Sequence, residues 1–323
     1  MKIIDNYKKI NKLINDSSNV FIVGHKDLDL DALGACLAMY NYSIALNKEA
    51  YIIVDDNRLE PAVEKVIKDL IESVQFLDSE KALKLKNGDS LLVVIDTNKN
   101  YLLQNPSLEQ DFDTKIIIDH HEQGTGTMIN EKLVIIDTDA SSTCEMMTEF
   151  LKLNKYIIDS DLATVLLSGI ILDTNSYVLK TDTNTFYYSY FLTTCGAKPN
   201  KVQYLLKQDL NKYIKRQQMI TNTKIINNIA ITKGQNEDVY RREELAKAAD
   251  TLLLFNDIEA SFVIAKTDKD TVGVSARSLG NINVGQILGM LGGGGDVHEA
   301  AAKVSNTTTN NLEKEIINII KLL

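Results

Sequence analysis

Through the first half of the chain, short apolar runs rich in β-branched residues alternate with longer stretches of helical periodicity. The runs are NVFIVG (19–24), AYIIVD (50–55), SLLVVID (90–96), KIIIDH (115–120) and LVIID (133–137). Each is apolar at consecutive rather than alternate positions, the pattern of strands covered on both faces. Between the earlier runs, DALGACLAMYNYSIAL (31–46) and PAVEKVIKDLIESV (61–74) carry the 3.6-residue period of helices. Strand–helix alternation of this kind predicts an α/β fold, an open and mostly parallel sheet with helices on both faces.

After residue 140 the pattern turns helical, with ASSTCEMMTEFLKL (140–153) and DLATVLLSGIIL (161–172). From about 226 a second, smaller α/β pattern begins. It holds the apolar run IINNIAIT, a helical KAADTLLLF, the strands EASFVIAK and TVGVSAR, a glycine run and a closing helix. The expected organisation is a first domain over 1–190, a helical linker over 191–225 and a second domain over 226–323, with the boundary somewhere in 190–225. No internal repeat is visible.

Composition narrows the field. The chain of 323 residues has 44% hydrophobic and 24% charged residues and a net charge of −9. That is ordinary for a globular protein and speaks against non-specific binding to long nucleic acid, which Lys and Arg drive. A phosphate-bearing substrate stays open, because bound cations can supply positive charge locally. Cys36, Cys144 and Cys195 form no CxxC pair, which suggests reduced thiols in the cytoplasm. No apolar run approaches the roughly 20 residues of a membrane helix, and MKIIDNYKKINKL reads as an amphipathic helix rather than a signal peptide.

The histidines change the picture most. There are four, His25, His120, His121 and His298, and three of them end apolar strands. His25-Lys-Asp27-Leu-Asp29-Leu-Asp31 follows the first strand, where ligands bind in open α/β sheets. Asp31 by itself reads at least as well as the N-cap of the following helix. Asp96 ends the strand SLLVVID and Asp119-His120-His121 ends KIIIDH; adjacent histidines at a strand end are expected to point in different directions, so that one of the two faces a given metal. Asp173 closes an apolar helix, where a carboxylate meets the negative end of the dipole unless a cation offsets it. Together His25, Asp29, Asp31, Asp96, His120 and Asp173 form an oxygen and imidazole set without thiolate, suited to Mn²⁺, Mg²⁺ or Fe²⁺. Four carboxylates against two divalent ions roughly cancel, as in two-metal phosphatases and nucleases. In the second domain, GVSARSLG (273–280) precedes LGGGGDVHEAA (291–301). Four glycines opening a helix would let backbone N–H groups approach a phosphate, and Arg277 can contact phosphate with two donors. The bland reading of the glycines is a hinge.

At these residues the sequence resembles the DHH/DHHA1 phosphoesterase family, over nearly the whole chain. HKDLDLDALG (25–34) matches the family's His-x-x-x-Asp-x-Asp-Ala-x-Gly, VIDT (94–97) its Val-x-Asp-Thr strand, 119–121 its Asp-His-His, and GIILDT (169–174) its Gly-Ile-x-x-Asp-Thr. Within the family the chain looks most like the catalytic part of GdpP-type cyclic di-AMP phosphodiesterases, in DASSTCEMMTEFL, EASFVIAKTDKDTVGVSARSLGNINV and LGGGG. The resemblance implies two domains with the active site in the cleft between them. One ion would be held by His25, Asp29 and Asp96. The other would be held by Asp31, Asp96, His120 and Asp173, with Asp96 bridging and Mn²⁺ as the expected metal. His121, with Asp119, would serve catalysis at the scissile phosphate, and Ser275, Arg277 and Gly292, Gly293, Gly294 and Gly295 would bind nucleotide. The implied reaction is hydrolysis of cyclic di-AMP; the alternative is a nanoRNase-like hydrolysis of linear dinucleotides, with adenosine bisphosphate phosphatase activity. A nucleotide sensor without catalysis is the reading from another class. Two features depart from the pattern. Asp296 stands where the family has a His after the glycine run, and the membrane and sensory segments usual upstream are missing, which suggests a stand-alone enzyme or an excised fragment. A homodimer is compatible with all of this.

Overall fold

The computed structural model describes residues 2–322 apart from 56–58, 71–73, 125, 129–131 and 236. The chain forms two compact units, Met1–Lys207 and Gln208–Leu323. In chain order the first holds α1 (Ile3–Asp16), β1 (Asn19–Val23), α2 (Leu30–Ala45), β2 (Glu49–Ile53), α3 (Pro61–Leu70), β3 (Phe76–Leu77), α4 (Ser79–Leu85), β4 (Leu91–Ile95) and α5 (Leu108–Asp111). There follow β5 (Thr114–Asp119), β6 (Leu133–Ile136), α6 (Thr143–Leu153), α7 (Ser160–Asp173), α8 (Thr183–Thr194) and α9 (Pro199–Leu205). All five strands expected from the apolar runs are present. The helix expected over 61–74 is seen as α3, and its residues 71–73 lie outside the described ones.

The sheet of the first unit has the order β3-β2-β1-β4-β5-β6, and every pairing in it is parallel. Alternate residues of each strand enter opposite cores, which is why the runs are apolar at consecutive positions. Leu91, Val93 and Ile95 of β4 join Leu33, Leu37 and Ile170 on one face, while Leu92 and Val94 join Phe21, Leu108 and Phe112 on the other. The strand order reverses direction between β1 and β4. In a doubly wound sheet that switch point opens a crevice at the carboxyl ends of the strands, where ligands bind.

The second unit consists of α10 (Leu210–Ile220), β7 (Lys224–Ile226), β8 (Ile229–Lys233), α11 (Arg242–Leu252), β9 (Ala260–Asp268), β10 (Thr271–Ser278), α12 (Val284–Gly289), β11 (Gly294–Gly295), β12 (Glu299–Ser305) and α13 (Thr309–Leu322). Its sheet order is β11-β12-β10-β9-β8-β7, with β8 and β9 parallel and the other pairs antiparallel. Helix α11 covers one face through Leu245, Ala249 and Leu252, and α12 and α13 cover the other through Ile287, Leu288, Leu312 and Ile316.

One sequence expectation is corrected here. The glycine run does not open a helix: it follows the end of α12 at Gly289 and leads into strand β11, which pairs with β12 through Gly294↔Ala301 and Gly295↔Ala300. Glycine favours neither element, and the φ of +75° at Gly292 and +149° at Gly295 breaks helical continuation. The apolar run IINNIAIT forms the two antiparallel strands β7 and β8, joined where Asn227 (φ 47°) and Asn228 (φ 62°) make a tight left-handed turn. The 191–225 stretch contains the end of α8, α9 and α10; α8 and α9 pack on α7 in the first unit, while α10 opens the second.

Candidate metal centre

Each candidate donor of the first unit sits at the carboxyl end of a strand or at a helix end beside it. His25 follows β1, Asp96 follows β4, His120 and His121 follow β5, and Asp173 is the last residue of α7. The reversal of strand order thus brings His25 and Asp96 side by side. The helix-cap reading of Asp31 is corrected: Asp29 is the N-cap of α2, its Oδ1 accepting from the N–H of Asp31 and Ala32 at 3.0 Å each. Asp31 lies inside the first turn, fully buried. Its carboxylate accepts from the backbone N–H of Thr143 (Oδ2, 2.7 Å) and Cys144 (Oδ1, 2.7 Å) at the start of α6. A helix N-terminus is where a buried anion is best held.

The six expected donors converge. His25 Nε2 lies 3.5 Å from Asp96 Oδ2 and 3.8 Å from Asp29 Oδ2. His120 Nε2 lies 3.1 Å from Asp173 Oδ2 and 3.6 Å from Asp96 Oδ1. Three groups, Asp96 with His120 and His121, His25 with Asp29 and Asp96, and Asp31 with His120 and Asp173, each offer donor atoms within 4.8 Å of one another. Separations of 3.5–3.8 Å are too long for hydrogen bonds, and they are the spacing of ligands that share a cation roughly 2.1 Å from each. Neither ring nitrogen of His120 makes a hydrogen bond of good geometry among the described residues, although Nε2 faces the Asp173 carboxylate at 3.1 Å. A buried imidazole so placed is costly in itself, and a metal ion would satisfy its Nε2. The residues therefore fit divalent cations, with Asp96 common to two of the groups.

The adjacent histidines behave differently from expectation. Their rings stand 4.3 Å apart and tilted by 56°, and both reach Asp96 Oδ1, at 3.6 and 3.7 Å. Strand alternation stops applying because β5 ends at Asp119. Buried Asp119 then holds the half-exposed His121, accepting from its Nδ1 at 2.8 Å and its backbone N–H at 3.1 Å.

Charge explains the titration of the cluster. Burial works against a charged His25, but the carboxylates of Asp29 and Asp96 override it and raise its pKa well above the ordinary value. His121 likewise overcomes burial through Asp119 and Asp96 and is pushed up to about 10. Burial would raise Asp96, yet His25 and the two other imidazoles hold it below the usual carboxylate range. Asp31 goes the other way: burial and the carboxylates of Asp173 and Asp96 push it well up, against the two amide donors that favour its anion. A bound cation would replace these protons as the source of positive charge.

Thr143 and Asn98 escaped the sequence reading as site residues, and Gly169 entered it only as the first residue of the GIILDT motif. Thr143 donates its hydroxyl to Asp96 Oδ1 at 2.7 Å. Asn98 donates to Asp119 Oδ2 at 2.6 Å and to the His121 carbonyl at 3.0 Å. Gly169 lets α7 pass so close that a Cβ there would lie 2.9 Å from Asp31 Cα. The one available signal was Ser142-x-x-Glu145, a helix-start pattern.

In the second unit, Ser275 and Arg277 lie on β10. Arg277 is held in place rather than open: its Nε donates to Asp250 Oδ1 at 2.7 Å, one Nη donates to the Ala276 carbonyl at 3.0 Å, and the other lies 3.5 Å from Glu299. Burial dominates for Asp250 and raises it, while Asp250 and Glu299 overcome burial and raise Arg277. Asp296 is a turn residue. Its Oδ1 accepts from the N–H of His298 (2.7 Å) and Glu299 (2.8 Å). His298 Nδ1 lies 3.2 Å from the Ser278 carbonyl.

No helix among the described residues is long and apolar enough to cross a membrane. Residues 19–170 match the N-terminal domain of the DHH family and residues 222–322 the DHHA1 domain. The chain is 36% identical over 310 residues to the cyclic-di-AMP phosphodiesterase GdpP of Bacillus subtilis, covering 93% of this chain and 47% of that protein. It is 32% identical over 318 residues to the cyclic-di-AMP phosphodiesterase PdeA of Listeria monocytogenes, covering 96% of this chain and 48% of that one. The chain thus spans about half the length of these curated relatives. Its fold is that of an exopolyphosphatase-related protein from Bacteroides fragilis, with a TM-score of 0.82 and 17% identity over 99% of this chain and 95% of the other. The Asp-His-His strand end, the donor cluster at the switch point and these matches agree: the chain belongs to the DHH family, a DHH domain followed by a DHHA1 domain.

Proposed function

We propose that this chain is a metal-dependent phosphodiesterase that hydrolyses cyclic di-AMP to the linear dinucleotide, using two divalent ions, Mn²⁺ foremost. The observation that carries the proposal is the sharing of buried Asp96 between donor groups that approach it from His25 and Asp29 on one side and from His120 and His121 on the other. His25, Asp29 and Asp96 would hold one ion; Asp31, Asp96, His120 and Asp173 the other. When bound, such a pair lowers the pKa of water and offsets charge on phosphoryl oxygens. The chain's own groups do the rest. Asp119 fixes the His121 ring through Nδ1, so that its Nε2 edge meets the scissile phosphate. Arg277, oriented by Asp250, would meet a substrate phosphate through the Nη that otherwise faces Glu299 at 3.5 Å, with Ser275 and the backbone of Gly292–Gly295 beside the nucleotide. Preorganised charge of this kind is worth about 3–4 kcal/mol per donor in other enzymes. The proposal puts the reaction in the cytoplasm, where the free thiols of Cys36, Cys144 and Cys195 persist.

The relatives named for cyclic di-AMP support the substrate, and the strongest competing reading is hydrolysis of linear dinucleotides, kept in view by Asp296. A substrate panel decides: cyclic di-AMP, linear dinucleotides and adenosine bisphosphate are incubated with Mn²⁺ and resolved by chromatography. The proposal expects the cyclic substrate to be consumed fastest; turnover of linear substrates alone would reject it.

A further inference from the structure

We propose that Thr143 is a positioning residue that sets the rotation of the Asp96 carboxylate and thereby lets one side chain serve both metal positions. The inference rests on the two-metal reading above and adds a residue to it. Asp96 is 3% exposed and has a left-handed backbone, φ 60°. Its two oxygens face different partners: Oδ2 lies 3.5 Å from His25, and Oδ1 lies 3.6 Å from His120 and 3.7 Å from His121. The terminal torsion of an aspartate is broad and nearly two-fold, so nothing within Asp96 itself enforces that division. The Thr143 hydroxyl does. It is fully buried and donates to Oδ1 at 2.7 Å, fixing which oxygen faces which histidine.

Thr143 is itself held firmly. Ser142 caps α6, its Oγ accepting from the Glu145 N–H at 3.0 Å, and the Glu145 carboxylate accepts from the Ser141 hydroxyl. The Thr143 backbone N–H donates to Asp31 Oδ2 at 2.7 Å. One residue at the start of α6 thus grips the Asp31 carboxylate in the first turn of α2 with its main chain and the shared carboxylate with its side chain. Partners in this position orient ligands, and their loss weakens metal binding by about 10–100-fold in other sites.

The test is Mn²⁺ binding by titration calorimetry on wild type, Thr143→Ser, Thr143→Ala and Thr143→Val, with folding checked by circular dichroism without metal. Serine keeps the hydroxyl and is expected to bind within about 3-fold of wild type, while Ala and Val are expected to fall by about 10–100-fold. Should Val fail to fold, the Ser and Ala pair decides, since they differ only in the hydroxyl. Ala binding like wild type, or Ser binding as weakly as Ala, would overturn the role of the hydroxyl while leaving the two-metal reading intact. A wild type that takes up no Mn²⁺ would remove both.

Discussion

Asp96 takes a left-handed backbone that few non-glycine residues adopt, and Asp tolerates it better than most. At this scale the donor set was legible because carboxylates and imidazoles are rare at the ends of apolar strands. Their supports were not legible, since Thr143 acts on a residue 47 positions away and Asn98 on one 21 positions away. Small polar residues carry no signal until the fold brings them to a partner. Asn98→Ala removes the donor from buried Asp119, so the His121 ring loses its fixed orientation. We expect kcat to fall by about 10–100-fold with Mn²⁺ affinity unchanged, as steady-state kinetics and metal titration would measure. Metal binding itself should depend on pH with a definite sign. His25, assigned to one ion, holds its proton to higher pH than an ordinary imidazole, so a cation must displace it. Affinity for Mn²⁺ is therefore expected to rise between pH 6 and pH 8, with protons released. Titrations in buffers of different ionisation enthalpy check this; flat affinity with no proton release would contradict it.

At the scale of elements, the metal centre depends on three helices approaching more closely than side chains normally allow. Gly34 of α2 and Gly169 of α7 both lie against Cys144 of α6, where added Cβ atoms would stand 2.7 and 2.5 Å from its sulfur. Gly169→Ala also collides with the Asp31 backbone, so it is expected to cost about 1–3 kcal/mol and to weaken Mn²⁺ binding by displacing Asp31. Thermal unfolding followed by metal titration would register both effects. The strands of the first sheet were readable because both faces are buried; β3, with two residues, is too short to show a period. The glycine run was misread for the same reason that it works as a turn, since its four residues look identical in sequence. Their surroundings differ. A Cβ at Gly295 would lie 2.1 Å from the Glu299 carbonyl, while Gly294 has open space. Gly295→Ala is expected to lower the melting temperature of the second unit by several degrees, and Gly294→Ala to leave it nearly unchanged. Equal melting temperatures would argue against the β11–β12 hairpin.

For the whole molecule, each unit carries its own core. In the second, Glu313 of α13 accepts from Lys224 at 2.9 Å and Lys233 at 2.7 Å, tying the helix to β7 and β8. Burial alone would raise this carboxyl, but the two lysines hold it below its ordinary value. A depressed carboxyl stabilises the fold above its unfolded pKa and loses that contribution as pH falls through the folded one. Stability of the second unit is thus expected to drop below about pH 4.5, and Glu313→Gln to flatten that acid limb in urea unfolding. The two-unit organisation was readable from the recurrence of α/β patterning, whereas the exact residue of the division within 190–225 was not, because α8, α9 and α10 form a helical stretch whose partners the periodicity does not reveal. A parallel sheet also has two unequal rims. The ligand-bearing loops crowd the one at the strands' carboxyl ends. The rim at their amino ends includes the exposed turn around Gly88, where an added Cβ would meet nothing within 4 Å. A peptide tag or fluorescent reporter spliced in at that turn would sit a full strand length from the chemistry, giving a handle on the protein that leaves its ion-binding edge undisturbed.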